Sequence, residues 1–301
     1  MPLASHITAA NGNPGAVTWL DSLRADFVLA SRRLRQRKLT STAAVLSLAL
    51  GIGSCLAAFR LIDALLLRPL PIASPDRLYS LSYRELPATG LSAPRDTWQY
   101  PLYQQMRAAV ARQADVIALS PAERVEITFR SDREMERAHV QYISGSLFTT
   151  FGLRATTGRL LSANDDLQAG AHPVAVISHD YWSRRFALDP HIIGRTLRLT
   201  NNLTGTRIYQ IVGVSPAGFT GTEPGKVVDV FFPATMHWGM AFPGWSLFRM
   251  FVQLQPGTLA SAVGEHLGQV VRSFDESQPD RAGRRLCRAH RDHRRAGQQE
   301  P

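Results

Sequence analysis

Cysteine is nearly absent: two stand among 301 residues. Cys55 falls inside an apolar run and Cys287 in a basic C-terminal stretch, so no disulfide is expected. Residues 68–286 have no cysteine at all, which excludes a disulfide scaffold and a thiolate metal site there. A phosphate-cradling GxxxxGK[ST] loop is missing too, so the chain is not expected to bind ATP. The glycines of GIGS at 51–54 belong to the apolar run instead. No HExxH pairing exists; His172, His179 and His191 are close in sequence but sit in expected loops, without metal-ligand spacing. Neither a metal nor a cofactor is expected, and no residue is nominated as catalytic.

Acidic charge is scarce, with 24 Asp and Glu against 34 Lys and Arg, and the net charge is +10. The excess is confined to two places. Residues 24–38 carry half of it, through Arg24, Arg32, Arg33, Arg35, Arg37 and Lys38 against Asp26; residues 281–301 carry the other half. The body between is neutral, which argues against nucleic acid as a partner, since such a domain carries its charge on the folded surface.

Long apolar runs are equally rare. The one present, AAVLSLALGIGSCLAAF at 43–59, has no charge. Helical periodicity continues through RLIDALLL, so one transmembrane helix is expected over 40–67. At about 1.5 Å per residue, 43–67 would extend ~37 Å and cross a hydrocarbon core of ~30 Å. The run starts too late in the chain for a secretory leader. The basic cluster before it orients the N-terminus to the cytoplasm and exports the chain beyond about residue 70. Trp19, Leu20, Leu23, Phe27, Ala30 and Leu34 share one helical face, so 18–38 is expected as an interfacial helix on anionic lipid. Residues 1–17 and 281–301 are expected to be disordered. Ser47, Gly51, Ser54 and Ala58, at spacings of four, three and four, form a small-residue stripe against which another helix could pack. Arg60 and Asp63 are spaced to pair near the exit.

From about residue 72 the pattern is α+β. Strands are expected over 78–83, 115–119, 125–129, 138–143, 174–178, 196–200, 208–214, 229–232 and 249–254. Helices are expected over 98–110, 146–151, 181–187 and 259–274. Gly213 and Gly218 bracket a turn at VSPAG, and Gly158 and Gly194 are placed to supply positive φ. Asp165–Asp166 reads as a solvated turn. Ser178, His179 and Asp180 are adjacent in sequence, which does not make a triad. Asn202-Leu203-Thr204 matches a glycosylation sequon by pattern only.

Several segments carry a resemblance. LSLALGIGSCLAAFRLIDALLLRPLP (46–71) with SPDRL (74–78), GRLLSANDD (158–166), PVAVISHDYWSRRF (173–186), DPHIIGRTLRL (189–199), YQIVGVSPAGFTG (209–221) and FVQLQPGTLASAV (251–263) resemble MacB-like ABC permeases. The likeness is greatest to the stand-alone group without a fused ATPase. It implies a two-lobed periplasmic core domain over 72–280: a porter-like lobe of βαβ character and a mainly β lobe inserted at about 137–235. It also implies a separate ATPase partner, further permease helices and the option of a homodimer. The family carries three more membrane helices after the exported domain. No apolar run of that length comes after residue 67 here, and the Arg-rich tail resembles out-of-frame translation, so a truncated remnant is expected. Two functions are open: a membrane-anchored permease subunit passing ATPase-driven motion to its exported domain, or a single-span anchored binding or adaptor domain with no ATPase partner.

Overall fold

The computed structural model describes residues 38–62, 72–85, 93–129, 135–278 apart from positions 202, 204, 224 and 243, and two short strands at 284–286 and 290–291. The chain divides into two units, Met1–Ala64 and Leu65–Pro301. Within the first, helix α1 runs Lys38–Ile62. It has no proline, and alanine and leucine supply its propensity; Gly51 and Gly53 oppose it by about 1 kcal/mol each. Ser41–Arg60 is long and apolar enough to cross a membrane, and none of it is buried within the protein. Val45, Leu48, Leu50, Leu56 and Phe59 are all exposed, an arrangement that hydrocarbon satisfies and water does not. The interfacial helix, Asp63 and the expected extension of α1 to Leu67 lie outside the described residues.

The second unit opens with β1 (Leu78–Ser80), β2 (Tyr83–Glu85) and β3 (Thr97–Gln99), then α2 (Tyr100–Val110) and β4 (Ala114–Leu119). Pro101 stands in the first turn of α2, where its missing N–H costs nothing. Later come β12 (Ser246–Leu254) and α5 (Ala260–Glu276). Arg249 of β12 pairs with Thr97 of β3 on one side and Leu119 of β4 on the other. β3 and β4 are therefore parallel, joined by α2 and separated by β12: a split βαβ unit. α2 packs against α5, and Leu102, Tyr103, Met106, Val110, Val263, Leu267, Val271 and Phe274 are buried. Those positions follow the 3.6-residue period on both helices.

Between β4 and β12 the chain builds a second structure. It comprises β5 (Glu123–Phe129), β6 (Met135–Ile143), short α3 (Leu147–Thr150), β7 (Thr157–Gly158), β8 (Val174–Ile177), α4 (His179–Phe186), β9 (Thr196–Asn201), β10 (Gly205–Val214) and β11 (Val230–Pro233). β11 pairs with β8, β8 with β10, β10 with β9, β9 with β5, β5 with β6, and β6 returns to β11. The six strands close a ring, which leaves no open edge within it. Tyr142, Tyr209 and Phe232 pack together in the core, with ring centroids 5.4 and 4.3 Å from Phe232. β5 precedes residue 137 yet pairs only inside the ring, so the ring strands span 123–233.

The ring joins the split βαβ unit through a single β4–β6 pair, Leu119 with Ile143. The apolar packing is less divided than the hydrogen bonding. Val116 and Ala118 of β4 belong to one apolar cluster, Ile117 and Leu119 to the other. Strand alternation explains this, since successive side chains enter opposite faces and both faces are covered. Both clusters contain residues from both structures.

The disordered tail expected after residue 280 is corrected at two points. β13 (Arg284–Leu286) pairs with β2, and β14 (His290–Arg291) pairs with β1. β1 uses one edge for β12, and its other edge offers N–H and C=O groups that an extended chain can meet.

Candidate functional site

Ser47, Gly51, Ser54 and Ala58 are exposed on α1. Ser54 Oγ donates to the Gly51 carbonyl at 2.9 Å, satisfying its hydroxyl within the helix. A Cβ placed on Gly51 meets nothing within 4 Å. The stripe is thus open along its length.

In the second unit the three histidines are not gathered. His179 Nδ1 lies 3.9 Å from Asp180, and His191 Nδ1 lies 3.3 Å from Asp189. Among the described residues no group of three metal-ligating side chains forms. Ser178 caps α4, its Oγ accepting from the Tyr181 N–H at 3.2 Å, and so has a structural task.

The solvated turn expected at Asp165–Asp166 is corrected: both residues are buried, at 5% and 4% exposure. Asp165 accepts two bonds from Arg159, at 2.7 and 2.8 Å, and two more from the Ser162 N–H and hydroxyl. Burial alone would raise this carboxyl; the Arg159 and Ser162 bonds outweigh it and hold the group below its ordinary value. Asp166 instead accepts from the Thr235 N–H at 2.8 Å, the Gly145 N–H at 3.2 Å and the Tyr100 hydroxyl at 3.4 Å. Here burial prevails and pushes the carboxyl up, despite the bonds from Thr235 and Gly145. One side chain thereby links α2, the turn after β6 and the segment after β11. The sequence conceals this because a DD turn looks the same whether its partners are water or distant N–H groups.

Beside this carboxyl lies a cleft of about 200 Å³ that sequence reading missed. Tyr100, Pro101 and Gln104 of α2 form one wall, and Leu167 and Ala169 another. Thr235, Gly239, Met240, Phe242 and Trp245 complete it. Phe242 and Trp245 stack at 4.7 Å and 19°, and Trp238 meets Trp245 edge-on at 5.6 Å. Leu167, Phe242 and Trp245 are 66%, 37% and 48% exposed. The available signal was aromatic density in WGMAFPGWSLF at 238–248, unusual between two strands. His237 starts this segment. It is buried among Tyr142, Trp238 and Phe248, and its Nδ1 accepts from the Gly239 N–H at 2.9 Å. Burial lowers its pKa to about 4, so it is neutral at pH 7.

An exposed apolar helix long enough to cross a membrane and a separate α+β unit define the class: a candidate membrane span joined to an α+β domain. The MacB-like periplasmic core domain family matches residues 41–270. The chain belongs to that family, which is the inner-membrane permease component of ABC transporters, working with an ATPase and other subunits. A permease-protein domain from Porphyromonas gingivalis shares its fold, with TM-score 0.53, 12% identity, 72% of this chain and 91% of that chain covered. The periplasmic region of MacB from Actinobacillus actinomycetemcomitans gives 0.49, 12%, 72% and 90%. The extracellular domain of the noncanonic ABC-type transporter YknZ from Gram-positive bacteria gives 0.49, 13%, 70% and 99%. A comparison with curated proteins returned no match.

Proposed function

We propose that this chain is a membrane-anchored permease subunit of an ABC-type system, in which a separate ATPase drives membrane helices and the exported domain passes that motion to a substrate or partner. The observation that carries the reading is the pairing of one wholly exposed apolar helix with a core domain of this family in a single chain. In this reading α1 crosses the inner membrane once, with the N-terminus cytoplasmic and residues after about 70 periplasmic. The basic cluster at 24–38 supports that orientation. Residues 18–38 lie along the inner lipid surface. The split βαβ unit serves as the porter-like lobe and the strand ring as the inserted lobe. Ser47, Gly51, Ser54 and Ala58 form the face that meets partner helices or a second copy.

The test has two parts. Intact spheroplasts are treated with external protease, which should remove residues beyond about 75 and spare the N-terminal 40. Membranes are then cross-linked and the captured proteins identified. Capture of an ATPase subunit through α1 supports the permease reading. Protection of the exported domain overturns the topology, and a chain that never captures an ATPase becomes a solitary anchored domain.

A further inference from the structure

We propose that residues 72–74, where the chain from α1 joins the second unit, form a mechanical clamp, and that Gln253 is the residue that positions it. The proposal rests on the permease reading, in which displacement of α1 has to enter the exported domain. By covalent continuity, a load on the chain before residue 72 reaches these three residues first. They are held at three places. Ile72 packs against the apolar cluster that includes Leu119 and Phe231. The Ala73 N–H donates to the Phe151 carbonyl, just after α3, at 2.9 Å. Gln253 of β12, 7% exposed, donates from Nε2 to the Ala73 carbonyl at 3.1 Å and to the Ser74 carbonyl at 3.0 Å. A load is thereby shared between β12 and the inserted structure.

The chemistry of the clamp singles out glutamine. Two carbonyls on consecutive residues call for two N–H donors, and one side-chain amide supplies both without bringing a charge into a buried position. Ser74 shows that the segment is held under constraint. Its φ is +55, in the left-handed region that disfavours a residue with a side chain. Its Oγ accepts from Arg77 Nη2 at 2.6 Å, and its carbonyl accepts from the Arg77 N–H at 3.1 Å as well as from Gln253. Such a conformation persists where its surroundings over-determine it. Gln253 also stands opposite Leu78, the first residue of β1. The clamp therefore closes the end of the β1–β12 pairing that a pull from α1 would peel first.

The experiment uses the full chain in detergent micelles. Amide exchange is followed at single-residue resolution for Ala73 and Arg77, whose N–H groups bond within the clamp. Gln253→Leu should raise both exchange rates about tenfold or more, because two carbonyls lose their donor, and should leave the strand ring unchanged. Gln253→Glu keeps the length of the side chain but has no proton to donate when ionised. It should match Gln253→Leu at neutral pH and regain protection, relative to wild type at the same pH, in acid where the carboxyl donates again. A residue that merely fills space would show no such recovery. Force is then applied in an optical trap through Arg68→Cys and Leu259→Cys, in a chain carrying Cys55→Ser and Cys287→Ser. Release of residues 72–77 lengthens the tether by ~20 Å and should need less force once Gln253→Leu is added. Unchanged exchange at Ala73 and Arg77 in both variants, or an unchanged release force, overturns the clamp. No arm of the experiment involves an ATPase. Loss of the clamp with an ATPase captured means that motion enters elsewhere, and a clamp with no ATPase captured counts against the permease reading alone.

Discussion

Gly213→Ala is the substitution for which the structure fixes the sign most firmly. Gly213 lies in β10, opposite Gly158 of β7 and alongside Val176 of β8, where the register shifts. A Cβ at Gly213 would stand 1.9 Å from the Arg159 carbonyl oxygen, 2.6 Å from its carbon and 3.0 Å from its nitrogen. All three are backbone atoms, so no side chain can swing aside. Arg159 is itself held, by its N–H to Val212 O at 2.9 Å and by its guanidinium on Asp165. Overpacking costs about 1–3 kcal/mol, and loss of the Arg159–Val212 bond adds about 1 kcal/mol, so ~3 kcal/mol is expected. For a domain of this size 1 kcal/mol moves Tm by about 2–4 °C, which sets the fall at ~6–12 °C. The assay is a thermal melt of the purified chain in detergent, monitored by far-UV circular dichroism and calorimetry. Two controls frame it. Gly264 lies in α5 with open space around it, and Gly264→Ala should raise stability by up to about 1 kcal/mol. Gly218 has φ +84 but an open surround, so Gly218→Ala should cost only about 1–2 kcal/mol of backbone strain. A Gly213→Ala melt within about 2 °C of wild type would refute the close-approach argument.

The other predictions concern titration and the membrane. Unfolded His237 takes up a proton near pH 6.5 and the fold refuses it until about 4, so stability is full above 6.5 and declines by up to about 3 kcal/mol as pH falls through that window. His237→Asn should flatten this decline in pH-resolved melts; an unchanged slope would assign it elsewhere. Asp165→Asn should cost about 1 kcal/mol at neutral pH, since Arg159 is half exposed and solvent screens the pair. That difference should vanish as pH falls through the lowered pKa of Asp165, where the wild type is protonated too, and persistence in acid would count against it. Gly51→Leu should reduce α1 cross-linking to partner helices without unfolding α1, because nothing in the structure obstructs the new side chain. Equal cross-linking would mean that the stripe faces lipid.

The elements were legible in the sequence where one periodicity dominated. Apolar residues of the expected helices at 98–110 and 259–274 lie on buried faces of α2 and α5. Gly158 and Gly194 adopt positive φ, as expected of glycines placed before strands. Ring closure was not legible, because β6 and β11 are separated by about ninety residues and no local pattern selects a parallel partner at that distance. The Asp166 network was hidden for a related reason. Its donors are backbone N–H groups of Gly145 and Thr235, and backbone groups leave no trace in side-chain identity. The cleft depended on α2, the 167–169 segment and the 235–245 segment meeting, so the aromatic density at 238–248 could be read as core.

The weak strand junction and the continuous apolar packing have opposite mechanical consequences, and their magnitudes decide between them. A single β4–β6 pair would leave the ring and the split βαβ unit free to hinge if it were their main connection. Ile117, Leu119, Ile143 and Phe231, however, occupy one buried cluster that spans both structures, and each is at most 1% exposed. Uncovering such side chains costs about 1.5–3 kcal/mol apiece, against about 1 kcal/mol for each of the two backbone bonds at the junction, Ser120 N–H to Tyr142 O and Ser144 N–H to Ala118 O. Asp166 adds a polar tie from Tyr100 to Gly145 and Thr235, and Arg249 of β12 reaches Glu223 at 3.4 Å while Glu223 holds the Ala122 N–H at 2.8 Å. Hinging would have to break several of these together. The ring and the helix-backed unit should therefore move as one block, as the proposed passing-on of displacement requires. Amide exchange at Ser120 and Ser144, whose N–H groups bond Tyr142 O and Ala118 O across the junction, should accordingly be as slow as in the centre of β12; rapid exchange confined to those two residues would identify a hinge instead.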